Sequence, residues 1–517
     1  MLLSPSKGEG NILNFFSSTI NVGIITSLSR LLGYIRDLLI AFFFGANFET
    51  DAFYVAFRIP NLFRRLLAEG TLSSTLVPFF TEANKASDKT LFKELRNHIF
   101  TIVFVLLFFT TLVFYFFSEE IILFFAFGFD SESRTLSADL LKRMAPFLFL
   151  ISLSALNMGL LNSLKKFNPP AFSPVFMNIG IIATILSSYW FFSLDIYVLS
   201  YAVLFGALLQ YIFQVPFILK NNLGYTFDFK KSINSKTSLI LKVIFPQVFG
   251  LAIYNLNILI NTQFASFLDK GSITYLYLAE RLIEFPLGIF AVSIATISLP
   301  DFANLYMDKK FEKFTSLINE KMKFLFYLTI PFATFFVITG ESICNVLYAR
   351  GEFNNLDAYL TYQALLAYSF GLVFVAGVRL LTQAFYAMKN TKTPVSFAAI
   401  NLLINLILCY VLGFYFNLGF FGLALASSIS SLFLFLFLFV GLRNIFKELQ
   451  TYNLILFFLI ILFISIISIT FSSWLVSMIS PISGNLISLV LTIIFSAIVF
   501  LIISKLLKIK ELKMIFN

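Results

Sequence analysis

The sequence predicts an all-α polytopic membrane protein of fourteen transmembrane helices: two parallel six-helix repeats, an N-lobe and a C-lobe, followed by two C-terminal helices. Three observations carry this. Mean hydropathy is +0.90 and only 12% of the 517 residues are charged, about half the charged fraction of a soluble domain. Apolar runs long enough to cross a hydrocarbon core, about 20 residues, recur along the whole chain. A small set of motifs returns at an offset of 222–223 residues.

The same composition excludes other classes. With 59% apolar residues, 70 Phe and 2 Cys, the chain is neither a water-soluble enzyme, a disordered polymer nor a disulfide scaffold. The net charge of +10 is spread between apolar runs rather than gathered in a patch, so it marks inner loops and not a nucleic-acid surface. His98 is the only histidine, which rules out a multi-histidine metal site, and Cys344 and Cys409 read as small buried hydrophobes. No catalytic residue and no metal ligand is assigned. Residues 1–20 lack the pattern of a removable signal peptide and are taken as an N-terminal extension.

The spans fall near 21–45, 52–83, 98–117, 137–163, 171–193, 196–219, 239–268, 273–303, 323–347, 358–388, 394–415, 418–442, 453–478 and 485–507. Connections after even-numbered spans hold Lys85, Lys89, Lys93, Arg96, Lys165, Lys166, Lys220, Lys230, Lys231, Lys236, Lys309, Lys310, Lys313, Lys321, Lys389, Lys392, Arg443 and Lys447. Those after odd-numbered spans hold Arg134, Lys270 and Arg350. The tail adds Lys505, Lys508, Lys510 and Lys513 to the first group. By the positive-inside rule both termini are cytoplasmic, as an even number of spans requires. The inner segment 301–323 alternates apolar and basic residues at helical spacing. It reads equally as a helix lying on the anionic inner leaflet or as an ordinary solvated loop.

The repeat rests on four places. Ala56-x-Arg58 returns as Ala279-x-Arg281, Gly128 as Gly351, and Lys166 as Lys389, each 223 residues on. Val77-Pro78-x-Phe80 returns as Leu299-Pro300-x-Phe302 after 222. Six spans per unit is an even number, so both copies enter the membrane in the same sense, related by a pseudo-two-fold axis along its normal. The organisation is therefore 1–20 as the extension, 21–222 as the N-lobe, 223–446 as the C-lobe, and 447–517 as the last two spans and tail. Two bundles about a midplane site is a transporter architecture.

Charges at membrane depth locate that site. Span 1 carries Arg30, Arg36 and Asp37; span 2 carries Asp51, Arg58, Arg64, Arg65 and Glu69; span 8 carries Glu280, Arg281 and Glu284; span 10 carries Arg379. An arginine at a helix centre costs roughly 2.5–3.5 kcal/mol facing lipid, so this set must face protein or water. Arg30 and Asp37 share one stripe of span 1, and Asp51, Arg58, Arg65 and Glu69 share one of span 2. Because Arg58 and Arg281 are repeat equivalents, cationic faces of both lobes are expected to meet in a deep, net-positive cavity. Structural ion pairs are the competing reading, above all for Asp37, Arg65, Glu69 and Glu280. There are too few acids to pair every arginine, and guanidinium groups suit phosphate through bidentate hydrogen bonds. The expected substrate is anionic and phosphate-bearing.

These residues also carry a family resemblance. Residues 29–80, with SR-x-LG-x-x-RD, TDAF-x-x-AF and PN-x-x-RR-x-x-AEG, resemble the opening signature of the MurJ/MviN family of lipid II flippases, and ERL-x-EFP in 260–290 resembles its second hallmark. The family belongs to the multidrug/oligosaccharidyl-lipid/polysaccharide exporter superfamily. The resemblance implies transport of lipid II, the undecaprenyl-diphosphate-linked disaccharide-peptide of peptidoglycan synthesis, from inner to outer leaflet of the bacterial cytoplasmic membrane. The family's cavity arginines fall on Arg30, Arg36, Arg64 and Arg281, which the resemblance assigns to the diphosphate. Asp51, Arg58, Asn61, Arg65, Glu69, Glu280 and Glu284 are the supporting set. Spans 13 and 14 correspond to a groove for the polyprenyl tail.

Some members bind sodium through acids in the seventh and eleventh spans. The matching places here are Asn261 and Asn405, which argues against a sodium site and keeps the membrane potential open as the driver. No other cofactor is implied. The expected partners are lipid II, membrane lipids and the cell-wall synthesis machinery, with the chain acting as a monomer. A flippase for another polyprenyl-diphosphate glycan and a cation-coupled multidrug exporter are the alternatives; the second would need acids where these arginines stand. A membrane glycosyltransferase would need catalytic acids and large outer loops.

Overall fold

The computed structural model describes residues 7–64, 80–81, 89–228, 256–479, 485–512 and 514. Regular structure among the described residues is helical, apart from one isolated bridge between Arg350 and Phe353. The chain divides into two compact units, Met1–Asn255 and Leu256–Asn517. Eleven helices among the described residues are long and apolar enough to cross a membrane, so this is a multi-pass membrane protein.

Unit 1 contains α1 (Lys7–Phe44), α2 (Phe48–Phe63), α3 (Lys89–Phe116), a short α4 (Ser118–Phe125), α5 (Ser131–Ser163), α6 (Asn168–Phe191) and α7 (Tyr197–Lys220). Local chemistry sets their starts. Asn47 and Thr50 form a reciprocal capping box at α2, and the Asp130 carboxylate accepts from the Ser133 amide at α5. α5 is the central helix of the unit: α2, α3 and α7 all pack on it, while α1 packs on α6 and α6 on α7. Met144, Phe147, Leu148, Leu160 and Leu161 of α5 are fully buried. α6 and α7 touch backbone to backbone, since a Cβ on Gly180 would sit 2.7 Å from Cα of Gly206. Beside that contact the amide of Gln214 donates to the hydroxyls of Ser154 and Ser173, tying α5, α6 and α7 together.

After α7 the chain does not leave unit 1 at once. Segment 222–228 is strapped to α3 and α5. Arg96 donates to the Asn222 carbonyl at 2.9 Å, Asp228 N donates to the Thr101 hydroxyl at 2.9 Å, and the Tyr225 hydroxyl donates to Asn157 Oδ1 at 2.6 Å. The Tyr225 ring stacks on Phe100 with centroids 4.2 Å apart.

Unit 2 opens with helical residues 256–265. It continues with α8 (Ser272–Pro286), a π turn (Leu287–Ala291), α9 (Val292–Met307), α10 (Phe311–Tyr348), α11 (Asn355–Ala387), α12 (Lys392–Tyr410), a second π turn (Val411–Tyr415), α13 (Gly419–Ile445), α14 (Thr451–Ile479) and α15 (Asn485–Leu506). α11 is central here: α8, α9, α10 and α13 pack on it, and α12 packs on α13. α14 rests on α10, and α15 on α14.

The segment 301–323 proves to be neither a single surface helix nor a loop. α9 runs to Met307, the chain reverses over three residues, and α10 starts at Phe311. Phe302, Phe314, Ile318 and Met322 are each 0% exposed, so burial of its apolar face pulls the segment into the bundle. Three predicted spans are absent from the eleven apolar helices. Span 21–45 lies within α1, whose charges dilute its hydropathy. Spans 52–83 and 239–268 are described over less than half of their lengths, and Arg65 and Glu69 lie outside the described residues.

Four helices end in the same unusual way. Lys165, Lys309, Lys389 and Lys508 hold the left-handed position just past α5, α9, α11 and α15, with φ of 59°, 56°, 58° and 55°. At each, the next amide reaches back to close the turn: Lys166 to Leu161, Lys310 to Leu305, Asn390 to Phe385, and Ile509 to Ser504. Lys165, not Lys166, is thus the counterpart of Lys389 in backbone conformation.

Candidate functional site

The candidate residues of unit 1 lie on α1 and α2. Arg30, about midway along α1, is exposed, and among the described residues it has neither ion pair nor hydrogen bond. Arg36, nearly two turns further on, is different. It is 7% exposed and its Nε and Nη2 both donate to Oδ1 of Asp37, at 3.0 and 2.8 Å. Its Nη1 donates to Oδ1 of Asn178 on α6 at 3.2 Å, and the Asn178 amide donates to the Ser29 carbonyl at 3.0 Å. Asn178 therefore closes a polar clasp across the α1–α6 contact. A charge buried at this depth is tolerable only when paired and hydrogen-bonded, and Arg36 meets both conditions.

On α2, Asp51 is buried and Arg58, Asn61 and Arg64 are half-buried. Arg64 Nε donates to Asn61 Oδ1 at 2.7 Å, a same-face contact at i,i+3 spacing that orients the guanidinium beyond Pro60. Arg65 and Glu69 lie outside the described residues, and no geometry attaches to them.

In unit 2, Glu280, Arg281 and Glu284 lie in the last two turns of α8 before Pro286. Arg281 is held on both sides. Nη1 lies 3.0 Å from Glu284 Oε2, Nη2 donates to the Tyr277 hydroxyl at 2.9 Å, and the guanidinium carbon is 5.1 Å from the centre of the Tyr277 ring. Its side chain keeps 28% of its exposure. Below it, Arg379 of α11 donates to the Leu287 carbonyl at 3.4 Å and supports the π turn that follows Pro286. The π turn absorbs the register change that the missing proline N–H imposes.

Asn261 and Asn405 meet directly. The Asn405 amide donates to Asn261 Oδ1 at 3.1 Å, the Asn261 amide donates to the Ser427 hydroxyl at 2.7 Å, and Ser430 donates to Asn405 Oδ1 at 3.3 Å. The Cys409 thiol completes the set at 3.4 Å from Asn261 Oδ1. This is a neutral network with its donors and acceptors matched. No group of three or more His, Cys, Asp or Glu able to hold a metal occurs among the described residues.

Two side chains central to this geometry are not singled out by sequence reasoning. Tyr277 was accessible in principle, lying four residues before Arg281 on the same helical face. Asn178 was not, since it meets Arg36 from 142 residues away.

Residues 40–452 match the family model described as lipid II flippase MurJ. The chain is 35% identical to a probable lipid II flippase MurJ of Buchnera aphidicola subsp. Acyrthosiphon pisum, over 81% of this chain and 82% of that one. It is 30% identical to the lipid II flippase MurJ of Burkholderia cenocepacia, over 84% of each. A solved structure of lipid II flippase MurJ in an inward closed conformation superposes with a TM-score of 0.78 at 29% identity, covering 94% of this chain and 99% of that one. An inward-facing multidrug resistance transporter of the MATE family shares the fold, with a TM-score of 0.69 at 14% identity.

Proposed function

The chain belongs to the lipid II flippase MurJ family, and from that premise we propose that it moves lipid II across the bacterial cytoplasmic membrane by alternating access. It is a transporter and not an enzyme. The observation that carries this is the match over more than four-fifths of the chain and of its relatives, together with agreement in fold at 29% identity. The shared fold with a drug exporter says nothing about cargo, and the arginines oppose a cationic one.

The chain crosses the membrane fourteen times with both termini cytoplasmic. The two lobes are parallel repeats. Equivalent packing supports that: α2 on α5 in unit 1 and α8 on α11 in unit 2 place Ala56 and Ala279, each fully buried, at matching points. Arg30, Arg64 and Arg281 engage the diphosphate, supported by Asp51, Arg58, Asn61, Arg65, Glu69, Glu280 and Glu284. Arg36 belongs to the same cationic set, and its clasp with Asp37 and Asn178 gives it the added task of fixing α1 against α6. In Arg281 the Glu284 carboxylate holds the place that a phosphate oxygen takes in the loaded state. The last two helices serve the polyprenyl tail. The neutral Asn261–Asn405 network stands against sodium coupling and in favour of the membrane potential, and the chain acts as a monomer alongside the cell-wall synthesis machinery.

Leaflet-resolved labelling of lipid II in a flippase-depleted strain tests this. Cells carrying the protein are expected to show lipid II in the outer leaflet, and to lose it when the potential is collapsed but not when sodium is replaced. Lipid II confined to the inner leaflet in cells that express the protein would overturn the assignment.

A further inference from the structure

The turn that follows α15 buries a charge. The backbone reverses at Lys508, where φ is 55° and the Ile509 amide donates to the Ser504 carbonyl at 3.0 Å. A single 3₁₀ turn, Lys510–Leu512, comes next and touches both α10 and α15. Glu511 on that turn is only 9% exposed. The lysines around it leave its charge unanswered. Lys505, Lys508 and Lys510 are exposed, and Lys323 of α10 holds its Nζ 5.6 Å from the centre of the Phe457 ring. Among the described residues Glu511 enters no ion pair. Lys513 lies outside them.

Two buried hydroxyls converge on the same place. Tyr327 of α10 is 1% exposed, and its ring packs on Phe500 of α15 with centroids 5.1 Å apart. Ser504, 0% exposed, lies one turn beyond Phe500 on the same face of α15. The Ser504 hydroxyl lies beside the Tyr327 phenol, and the Glu511 carboxylate is within electrostatic reach of it. Neither hydroxyl makes a hydrogen bond among the described residues. All three groups belong to unit 2.

The geometry points to a binding site for a monovalent alkali cation, K⁺ or Na⁺, held by the Glu511 carboxylate, the Tyr327 phenol oxygen and the Ser504 hydroxyl. A buried carboxylate is stable only when its charge is answered, by an ion pair or by a coordinated metal. A lone water would satisfy the hydroxyls and leave that charge standing. Ca²⁺ takes about six to eight oxygens, and a doubly charged ion beside one carboxylate would leave a positive charge over. Three hard oxygens with one negative charge suit one alkali ion. Its effect is to staple the reversed tail onto α10 and so fix the end of α15. The site is separate from the arginines proposed for the diphosphate. It lies on the side that the proposed orientation assigns to the cytoplasm, so exchange of external sodium does not empty it.

The test is thermal unfolding of the purified full chain while KCl or NaCl replaces choline chloride at constant ionic strength, which holds charge screening fixed. In wild type the melting temperature is expected to rise to a plateau with either ion, as binding to the folded state requires. Glu511→Gln is expected to lose that rise and to melt above wild type in choline, because the neutral amide removes the buried charge. Tyr327→Phe and Ser504→Ala are each expected to keep the rise with a half-saturating concentration about tenfold higher. Equal melting of wild type in all three salts, the behaviour a lysine counter-charge would give, overturns the proposal. A rise in Glu511→Gln matching that of wild type overturns it as well. Unchanged half-saturation in both hydroxyl variants places the ion elsewhere and is equally fatal. No readout here involves lipid II, so failure of this site is distinct from failure of the flippase reading.

Discussion

The guanidinium of Arg36 on α1 donates to Oδ1 of Asn178 on α6 at 3.2 Å, while two of its other nitrogens hold Asp37. Arg30, on the same helix, has no such clasp among the described residues. Two arginines of one motif thus separate by circumstance, one tied into the fold and the other presented. Arg36→Ala is expected to lower stability by about 3–5 kcal/mol, because it strands a buried carboxylate. Arg30→Ala should leave thermal stability within about 0.5 kcal/mol and still abolish growth support. Thermal unfolding of both purified variants, beside complementation, checks the contrast.

Arg281→Ala is expected to abolish growth support in cells depleted of their own flippase. Arg281→Lys should retain a fraction, since a point charge lacks the guanidinium fork that binds two phosphate oxygens. Full complementation by the alanine variant removes Arg281 from the site.

Sodium replacement should leave transport unchanged, because Asn261 and Asn405 satisfy each other without an ion. Asn405→Leu removes the donor to Asn261 and the acceptor for Ser430, and is expected to cost about 1–3 kcal/mol of stability. Lipid II labelling in choline-based and sodium-based media, plus melting of the variant, reads both arms.

Gly180→Ala forces α6 away from α7, since its Cβ would meet the Gly206 backbone at 2.7 Å. Overpacking of a closely apposed helix pair costs typically about 1–3 kcal/mol. Gly23→Ala is the control, with nothing within 4 Å of its Cβ, and the two melting temperatures should differ accordingly.

The Tyr225 phenol is pushed well above its ordinary value of 10.0, by burial first and by the nearby Tyr211 second, with Arg96 opposing. The folded chain therefore keeps its proton at pH values where the unfolded chain loses it. The strap's contribution is complete below about pH 10 and falls as pH rises beyond it. Unfolding measured from neutral to strongly alkaline pH should show this loss in wild type and a smaller one in Tyr225→Phe. The variant begins about 1 kcal/mol lower because Asn157 loses its donor.

Much of this was legible in one dimension. Periodic apolar runs place α5 at 137–163 against an observed Ser131–Ser163, and α11 at 358–388 against Asn355–Ala387. The discrepancies at the starts arise where capped polar turns precede the apolar run, as at Asp130 and Asn354. Local pairs such as Asn61–Arg64 and Glu284–Arg281 follow from helical spacing. Asn178 with Arg36, and Arg379 with Leu287, join residues far apart in the chain, and no periodicity encodes such meetings. Segment 301–323 failed for a third reason: its charge pattern suits a surface, yet Phe302 and Phe314 find each other and bury the hairpin.

The lysines at positions 165, 309, 389 and 508 close their helices where glycine has no steric cost and a side chain has about 1 kcal/mol. At each of them one residue does two jobs, halting the helix and fixing a cation against the negative end of its dipole. Those jobs can be pulled apart. Glycine at these positions would relax the backbone and erase the charge, giving a sturdier protein with fewer of the cations on which the proposed orientation rests. If that orientation holds, stabilising these helix ends with glycine trades orientation signal for melting temperature, one helix end at a time.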